Sequence, residues 1–388
     1  MVKIKAFDPL NFVEDIKNVI SPPFDSISKN LENKLKKNPH NITHLTLSNS
    51  ESSKSPGDLL REWISDKVVV NNGKKSIFLL DQEYRSKNEV SKLLGIVSLV
   101  NIFPDDGSVK PHEKTFPIPI EERIRIMESA GAQLEPIYLF VDSPELEMAL
   151  TRCRNEMKPK YDFNDFSDVT NKVYELDENS GNEIASIIEN LPAVVADGHH
   201  RLAASKRLAS NSDGVKREFW SWIMAYIVPL GSNGLKIKGI HRIVKNCADQ
   251  KSELKKIYEI SELNSDENNE SFKIYDREWH PISPCRKFCD ENPENCLSPI
   301  HLLNNEILAK TLGFKEKDFQ ASVIYTHDLD QAISEVDEGT GIFSAIIPDW
   351  DKDNLIRLIL EKGYLPQKST FFYPKPPSGV FINAIGGV

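Results

Sequence analysis

Residues 193–207 constrain the fold of this chain more than any other stretch, because a short apolar run, a tight turn and a helix-forming run follow one another there. Val194 and Val195 are β-branched and favour a strand. Asp197 is a good helix N-cap, and Gly198 allows the backbone to approach a bound group closely. Most of the following residues are strong helix formers. The stretch therefore predicts a strand that enters a helix through an Asp-Gly turn.

The first turn of this helix is expected to bind phosphate or another anion. The first amides of a helix lack partners within it, and together with the helix dipole they favour negative charge. His199, His200 and Arg201 add hydrogen-bond donors that suit phosphate oxygens. Because cations at a helix N-terminus oppose the dipole, this cluster should cost stability unless an anion is bound. The alternative is a structural connection in which Asp197 caps the helix and the histidines lie at the surface.

Composition disfavours several classes of protein. The chain has 388 residues, 39% of them hydrophobic and 27% charged, which is typical of a globular protein with a large core. A net charge of −10 disfavours a general nucleic-acid binder. No apolar run reaches the roughly 18 residues that span a bilayer, and the first residues do not resemble a signal peptide. We therefore expect a cytoplasmic protein with neither nucleic acid nor membrane as partner.

A second stretch with candidate catalytic residues contains His112 and Glu113, which follow a predicted strand. They fall on irregular backbone, where binding and catalytic residues are often found. Glu113 is a candidate general base, because partial burial near a histidine can tune a carboxylate toward neutral pH. The alternative is a surface ion pair between Glu113 and Lys114 or Arg123.

The end of the chain, residues 366–379, is aromatic, basic and rich in proline, whereas chain ends are usually polar and loose. It contains four donors that could bind an anion: Lys368, Ser369, Thr370 and Lys375. The alternative is an aromatic plug that only docks the chain end on the core. Both can hold together, with the aromatic side chains anchoring the segment and the lysines binding.

Three further residues could form a wall of the site. Two prolines precede Asp25 and fix its turn, which could position the carboxylate or could be a simple bend. His241 and Arg242 form another histidine–arginine pair on a short predicted strand. This pair could face the phosphate or could be a charge pair at the edge of the core.

Three cysteines, Cys285, Cys289 and Cys296, fall within twelve residues. Their spacing is not typical of a zinc site, and five cysteines in all are too few for a disulfide framework in a chain of this length. We expect free thiols here, and whether the three bind a metal stays open.

These motifs resemble those of known families. The Asp-Gly-His-His-Arg run at 197–201, followed by a helix of small residues, resembles the phosphate-binding turn of the ParB/sulfiredoxin-like superfamily, which includes nucleotide-dependent free-serine kinases and CTP-binding partition proteins. The whole chain is identified as a member of the domain-of-unknown-function 1015 family. The landmarks of that family occur here in order: residues 21–25, 112–113 with 122–123, 197–201, 241–242 and 368–375.

The succession of strands and helices, with this resemblance, predicts an α+β fold. It would comprise a mixed-sheet core with the ParB/sulfiredoxin-like strand–turn–helix phosphate site, and a smaller C-terminal α/β layer. We place a core domain at residues 1–245, a variable insertion at 246–298 and a C-terminal α/β segment at 299–388, whose tail returns to the site. Residues 40–47 are expected to form a strand.

The function expected from these features is a nucleotide-dependent phosphotransferase acting on a small hydroxylated metabolite. No P-loop or protein-kinase signature occurs, and phosphoryl transfer depends mainly on positioning and charge neutralisation. The ParB-like resemblance makes free serine or phosphoserine the natural substrate, with ATP or ADP and Mg²⁺ as cofactors and no protein metal site beyond Mg²⁺ held by the phosphates. The reaction could run as a kinase or a phosphatase. The alternative is a non-catalytic switch or sensor that binds a nucleotide or a phosphorylated metabolite, and either function allows a homodimer.

Each candidate residue has a role in this hypothesis. Gly198 and the three residues after it hold phosphates, while Asp197 caps the turn or positions Mg²⁺. Glu113 deprotonates the acceptor hydroxyl, and His112 orients it. The remaining cationic and hydroxyl side chains bind or neutralise phosphate: Arg123, Lys368, Ser369, Thr370 and Lys375.

Overall fold

The polypeptide divides into two units, one formed by residues 1–235 together with 374–388 and the other by residues 236–373. The computed structural model describes residues 2–47, 54–86, 89–113, 115, 117–189, 191–245, 271–284, 286–315, 319 and 321–386. About half of the insertion expected at 246–298, namely residues 246–270, lies outside this described part. Each unit has its own sheet and its own hydrophobic core.

The first unit is built on a mixed sheet with the strand order β6-β11-β8-β12-β5-β4-β10-β9, and β1 pairs with the end of β5. The strands of this unit are β1 (Ile4–Lys5), β2 (Leu10–Phe12), β3 (Val69–Asn71), β4 (Phe78–Ser86), β5 (Glu89–Asn101), β6 (Val109–Lys110), β7 (Ala132–Gln133), β8 (Ile137–Val141), β9 (Tyr161–Asn164), β10 (Thr170–Glu175), β11 (Ala193–Asp197), β12 (Trp222–Pro229) and, near the end of the chain, β20 (Asn383–Ala384). Strand β11 is parallel to β6 and antiparallel to β8.

Helices cover this sheet and extend its core. They are α1 (Ile16–Val19), α2 (Lys29–Leu35), α3 (Thr43–Thr46), α4 (Pro56–Ser65), α5 (Pro117–Ala130), α6 (Pro144–Glu156), α7 (Glu178–Glu189), α8 (His199–Ser210) and α9 (Gly214–Trp220). The main core joins apolar side chains of β5, β8, β11 and β12 to those of α6 and α7. A smaller cluster of Met127, Ala204, Leu208 and Trp220 packs α8 against α5. This packing fixes the first turn of α8 at the end of β11.

The second unit contains a five-stranded sheet of order β16-β15-β18-β14-β17 and a two-stranded pair, β13 with β19. Its elements are β13 (Lys236–Gly239), β14 (His241–Lys245), β15 (Phe272–Tyr275), β16 (Trp279–Ile282), α10 (Arg286–Glu291), α11 (Pro299–Leu302), a π-helical run (Leu303–Thr311), β17 (Val323–Thr326), α12 (Leu329–Asp337), β18 (Gly341–Ile346), α13 (Lys352–Lys362) and β19 (Thr370–Tyr373). The α+β class predicted from sequence, with a mixed-sheet core, is confirmed.

Several expectations differ from the structure. Residues 40–47 do not form a strand but contain α3, because the side chain of Asn41 accepts hydrogen bonds from both the amide and the hydroxyl of Thr43 and so starts a helical turn. The expected boundaries at 245 and 298 do not coincide with the two units, since β14 pairs with β17 and β18 of the second unit.

The cysteines differ from expectation as well. Cys289 and Cys296 form a disulfide rather than two free thiols, while Cys285 lies outside the described residues. In the described part of the chain, no three His, Cys, Asp or Glu side chains form a group that could hold a metal ion. Across the same residues, no helix is long and apolar enough to cross a membrane.

Candidate active site

The turn between β11 and α8 is set by Gly198, whose φ of +90° lies in the left-handed region. An added Cβ would lie 2.8 Å from Cγ2 of Ile137 and 3.1 Å from Nη2 of Arg201, so both the backbone angle and the available space require glycine. Gly198 is itself the N-cap residue of α8. The expectation that Asp197 caps the helix is therefore wrong, because Asp197 is the last residue of the strand and its carboxylate binds side chains instead.

The carboxylate of Asp197 joins two cations from distant parts of the sequence. Its Oδ2 accepts a hydrogen bond from Nη2 of Arg201 at 3.0 Å, and its Oδ1 accepts one from Nζ of Lys375 at 2.9 Å. Nζ of Lys375 also lies 3.8 Å from Oδ2 of Asp25. Burial disfavours the ammonium group, but the two carboxylates outweigh this effect and raise the pKa of Lys375 above its ordinary value.

Glu135 extends this network on the other side of Arg201. Nη1 of Arg201 donates to the carbonyl of Pro136 at 2.6 Å and lies 3.7 Å from Oε2 of Glu135. Oε1 of Glu135 accepts hydrogen bonds from the amide of Phe24, at 3.2 Å, and from the hydroxyl of Ser378. The protein therefore supplies carboxylates to the cations of the turn, as buried charges require.

Two histidines connect the turn to the loop that carries Glu113. Nε2 of His199 accepts hydrogen bonds from the amides of His112 and Glu113, both at 3.3 Å, so the proton of a neutral His199 ring lies on Nδ1. Nδ1 of His112 donates to the carbonyl of Val195. Burial lowers the pKa of His112, and burial with nearby cationic groups lowers that of His199 well below its ordinary value. Both rings are thus held neutral.

Glu113 lies at the edge of this histidine pair. Its side chain is 17% exposed, and its Oε1 lies 3.8 Å from Nε2 of His112, which is longer than a hydrogen bond. Of the two ion pairs considered for it, Lys114 lies outside the described residues, and Arg123 pairs with Oε1 of Glu122 at 3.2 Å. The carboxylate is therefore partly accessible while its backbone is fixed by His199.

Two cavities meet at Arg201 and Glu135. One, of about 10 Å³, is lined by Pro23, Glu135, Pro136, Tyr138, Asp197, Arg201, Lys375, Pro376 and Ser378. The other, of about 20 Å³, is lined by Thr46, Arg123, Ile126, Met127, Gln133, Leu134, Glu135, Arg201 and Ile223. Each cavity has room for about one water molecule. Together they place buried charges beside an apolar wall.

The remaining predicted residues are distributed between the two units. His200 is partly buried in the first turn of α8. Lys368, Ser369, Thr370, His241 and Arg242 all belong to the second unit, whereas Lys375 belongs to the first.

Within the second unit, these residues have local contacts. Nη2 of Arg242 donates to the carbonyl of Lys368 at 3.0 Å, and the carbonyl of Ser369 accepts from Nε1 of Trp350 at 2.9 Å. Nδ1 of His241 accepts from the amide of Ile347 at 3.1 Å.

Sequence reasoning missed Glu135 and Ser378. Glu135 directly precedes a proline and a strand of apolar, buried residues. An acidic residue immediately before a buried strand is a sequence signal from which Glu135 could have been predicted. Ser378 lies in the terminal segment and could not be singled out from the residues around it. Its partner, Glu135, is 243 residues away in the sequence.

The family model described as "Protein of unknown function (DUF1015)" matches residues 4–305, and the chain belongs to this family. No curated protein matches the chain. Among solved structures, the chain is similar to a conserved hypothetical protein from Pyrococcus furiosus (15% identity, 70% of this chain and 90% of that chain, TM-score 0.37). It is also similar to a free serine kinase in complex with AMP (15% identity, 68% of this chain and 83% of that chain, TM-score 0.36). A third similar structure is SbnI with a C-terminal truncation from Staphylococcus aureus (10% identity, 74% of this chain and 87% of that chain, TM-score 0.40).

Replacing Gly198 by alanine should destabilise the first unit through both strain and collision. A non-glycine residue at positive φ costs about 1–2 kcal/mol, and overpacking against Ile137 adds about 1–3 kcal/mol. Gly73→Ala is the matched control, because Gly73 has a φ of +72° but nothing within 4 Å of the added Cβ. Urea unfolding should show a larger loss for Gly198→Ala than for Gly73→Ala. Equal losses would mean that the turn has no steric requirement for glycine.

The two neutral histidines should make the fold sensitive to acid. Below the ordinary histidine pKa of about 6.5, the unfolded chain binds protons that the native rings do not, so the free energy of unfolding falls as the pH decreases. The loss is up to about 1.4 kcal/mol per pH unit for each histidine. His199→Gln keeps an acceptor near the position of Nε2 without titrating. Urea unfolding between about pH 5 and 7 measures how steeply the free energy of unfolding depends on pH. In this variant that dependence should be weaker by the equivalent of up to one bound proton, and an unchanged dependence would contradict the neutral His199.

Proposed function

We propose that this chain is a nucleotide-dependent phosphotransferase that transfers a phosphoryl group to or from a small hydroxylated metabolite, with free serine and phosphoserine as the first compounds to test. One observation carries the proposal: the Gly198 turn lies beside buried Lys375 and Arg201, and His199 of this turn accepts a hydrogen bond from the amide of Glu113, whose carboxylate is partly exposed. The elements for holding a phosphate and for accepting a proton thus belong to one group of contacts.

Phosphate binding is assigned to the backbone of the turn and to Lys375. The helix begins at His199 behind a glycine, which has no side chain to accept hydrogen bonds from the first amides. Arg201 contributes charge while Asp197 and Glu135 hold its guanidinium. Mg²⁺ bound by the phosphates of the nucleotide would reduce their negative charge.

Proton transfer is assigned to Glu113. A general base needs a carboxylate that reaches the acceptor hydroxyl, and partial exposure gives that access. His112 is a positioning residue for the loop that carries Glu113, because its Nδ1 donates to the carbonyl of Val195 and its amide donates to Nε2 of His199. The hydroxyl proton would pass to Glu113 as the acceptor oxygen bonds to phosphorus and the bond from phosphorus to the donor oxygen breaks.

A nucleotide-binding switch without catalysis is the second candidate, and the position of Lys375 favours it. This residue lies in the C-terminal segment, and its ammonium group is bound to Asp197 at the turn. An anion that binds at the turn would compete with Asp197 for this ammonium group. Binding would thereby change the contacts of the segment without any chemical step.

Glu113→Gln separates the enzyme from the switch. The amide keeps the shape of the side chain but cannot accept the proton, so turnover should fall by about 10²- to 10⁴-fold while the affinity for the phosphate donor stays nearly unchanged. Turnover is measured by ³¹P NMR with ATP, ADP or phosphoserine and a panel of hydroxy acids, and affinity by calorimetry.

Glu128→Gln is the matched control, because Glu128 is exposed on α5. It should leave both quantities unchanged. Full activity of Glu113→Gln would remove Glu113 as the base. If the wild-type protein binds nucleotide, turns over none of the panel and changes its oligomeric state, the switch is the correct function.

A further inference from the structure

Residues 374–377, which include Lys375, have few backbone donors with which to hold themselves in place. Three of the four are prolines, which lack a backbone N–H, so the stretch cannot pair with a strand through a regular ladder of hydrogen bonds. The ammonium group of Lys375 is nevertheless held 2.9 Å from Oδ1 of Asp197. Side chains of the first unit are therefore needed to fix the main chain from which this ammonium group extends.

Gln82 of β4 binds that main chain directly. Its Nε2 donates a hydrogen bond to the carbonyl oxygen of Lys375 at 3.2 Å, across 293 residues of sequence. Gln82 is fully buried, and both residues belong to the first unit. Lys375 is thus held at two points, with its carbonyl bound to Gln82 and its ammonium group bound to Asp197.

Asn171 orients the amide of Gln82. The two residues lie opposite each other on β10 and β4, and Nε2 of Gln82 also donates to Oδ1 of Asn171 at 2.9 Å. Nδ2 of Asn171 donates to the carbonyl of Val169 at 2.9 Å and to Oδ2 of Asp165 at 3.0 Å. Because both hydrogens of this Nδ2 are used, the oxygen of Asn171 is left to accept, and this selects one orientation of the Gln82 amide.

This orientation has a cost that stability alone does not explain. Oε1 of Gln82 is buried and accepts no hydrogen bond from the residues that the structure describes. A buried acceptor without a donor destabilises a fold, and a methionine, which is similar in shape and has no amide, would avoid that loss. The amide at position 82 is therefore better explained by what its Nε2 binds than by packing.

From these contacts we infer that Gln82 is a positioning residue for Lys375, and that Asn171 and Asp165 orient it for this role. The inference rests on the proposed function, in which the ammonium group of Lys375 binds phosphate. Gln82 acts through the main chain of Lys375, because it fixes the point from which the ammonium group reaches the Gly198 turn.

Gln82→Met tests this inference, because it keeps the shape of the side chain and removes Nε2. The ammonium group of Lys375 should then be held less firmly by Asp197 and Asp25, so its pKa should fall from its raised value toward 10.5. A pKa lower by one makes the neutral amine about ten times more abundant near pH 8. Acetylation of Lys375 by acetic anhydride, followed by mass spectrometry of the full chain, should therefore be about three to ten times faster in the variant. Lys160, which pairs with Glu175 in the same unit, is the internal reference and should react as in the wild type.

The variant should also bind ATP about 3- to 10-fold more weakly in calorimetry. The ammonium group is still present, so the loss is smaller than that of a complete charged hydrogen bond, which is worth about 10-fold or more.

Tyr84→Phe is the matched control. Tyr84 lies two residues further along β4, and its hydroxyl donates to the carbonyl of Gly234 at 2.8 Å. The change removes a buried hydrogen bond to a different main-chain carbonyl and should leave both the acetylation of Lys375 and the affinity for ATP unchanged. Equal acetylation of Lys375 in Gln82→Met and the wild type would overturn the inference, and so would an equal increase in both variants.

If Gln82→Met does not fold, Asn171→Ala decides, because it removes the acceptor that orients Gln82. Acetylation of Lys375 should increase in this variant too, and no increase would overturn the inference.

The outcomes also separate this inference from the proposed function. The acetylation of Lys375 needs no ligand, so it tests the role of Gln82 even if the wild-type protein binds no ATP, a result that would contradict the phosphotransferase. Normal ATP binding and turnover in Gln82→Met, with Lys375 acetylated as in the wild type, would overturn the role of Gln82 and leave the proposed function in place.

Discussion

The carboxylate of Asp197 is the point on which the candidate site depends. It lies at the end of β11 and binds Arg201, one helical turn further on, and Lys375, which is 178 residues away in the sequence. Because the lysine ammonium and the guanidinium are both buried, removal of the carboxylate would leave charges that the interior solvates poorly, at a cost of about 3–5 kcal/mol. One side chain thus fixes the geometry of the turn and attaches the C-terminal segment to it.

The cationic residues of the motif at 197–201 mainly bind groups of the protein itself. Arg201 is shared between Asp197 and Glu135, and Nε2 of His199 is turned toward the amides of residues 112 and 113. Much of the hydrogen-bonding capacity of the motif therefore organises the protein itself. On the proposed function, a phosphate would contact the glycine-led start of the helix and would compete with Asp197 for the ammonium of Lys375. The anion affinity that we propose would come from preorganised groups rather than from an excess of positive charge.

The sequence predicted the parts of the structure that depend on local pattern. The strand and helix around Gly198 follow from β-branched residues, a glycine and helix formers in succession, and the family landmarks follow from short motifs. Glu135 and the His112–His199 contact were not predictable in the same way, because their partners come from distant strands and loops. The helical turn near Thr43 is closed by backbone hydrogen bonds to Asn41 and Ile42, and the side chain of Asn41 adds an acceptor for the amide of Thr43. Periodicity alone could not indicate that outcome.

The most direct test of this account is to locate where a phosphate donor binds. In a deuterated, ¹⁵N-labelled sample, TROSY spectra recorded during titration with ATP report each backbone amide separately. If phosphate binds at the Gly198 turn, the amides of His199, His200 and Arg201 should shift first and saturate with a single affinity, and the side-chain amine signal of Lys375 should change with them. Shifts confined to other parts of the chain, with these resonances unmoved at saturation, would contradict a phosphate site at the Gly198 turn.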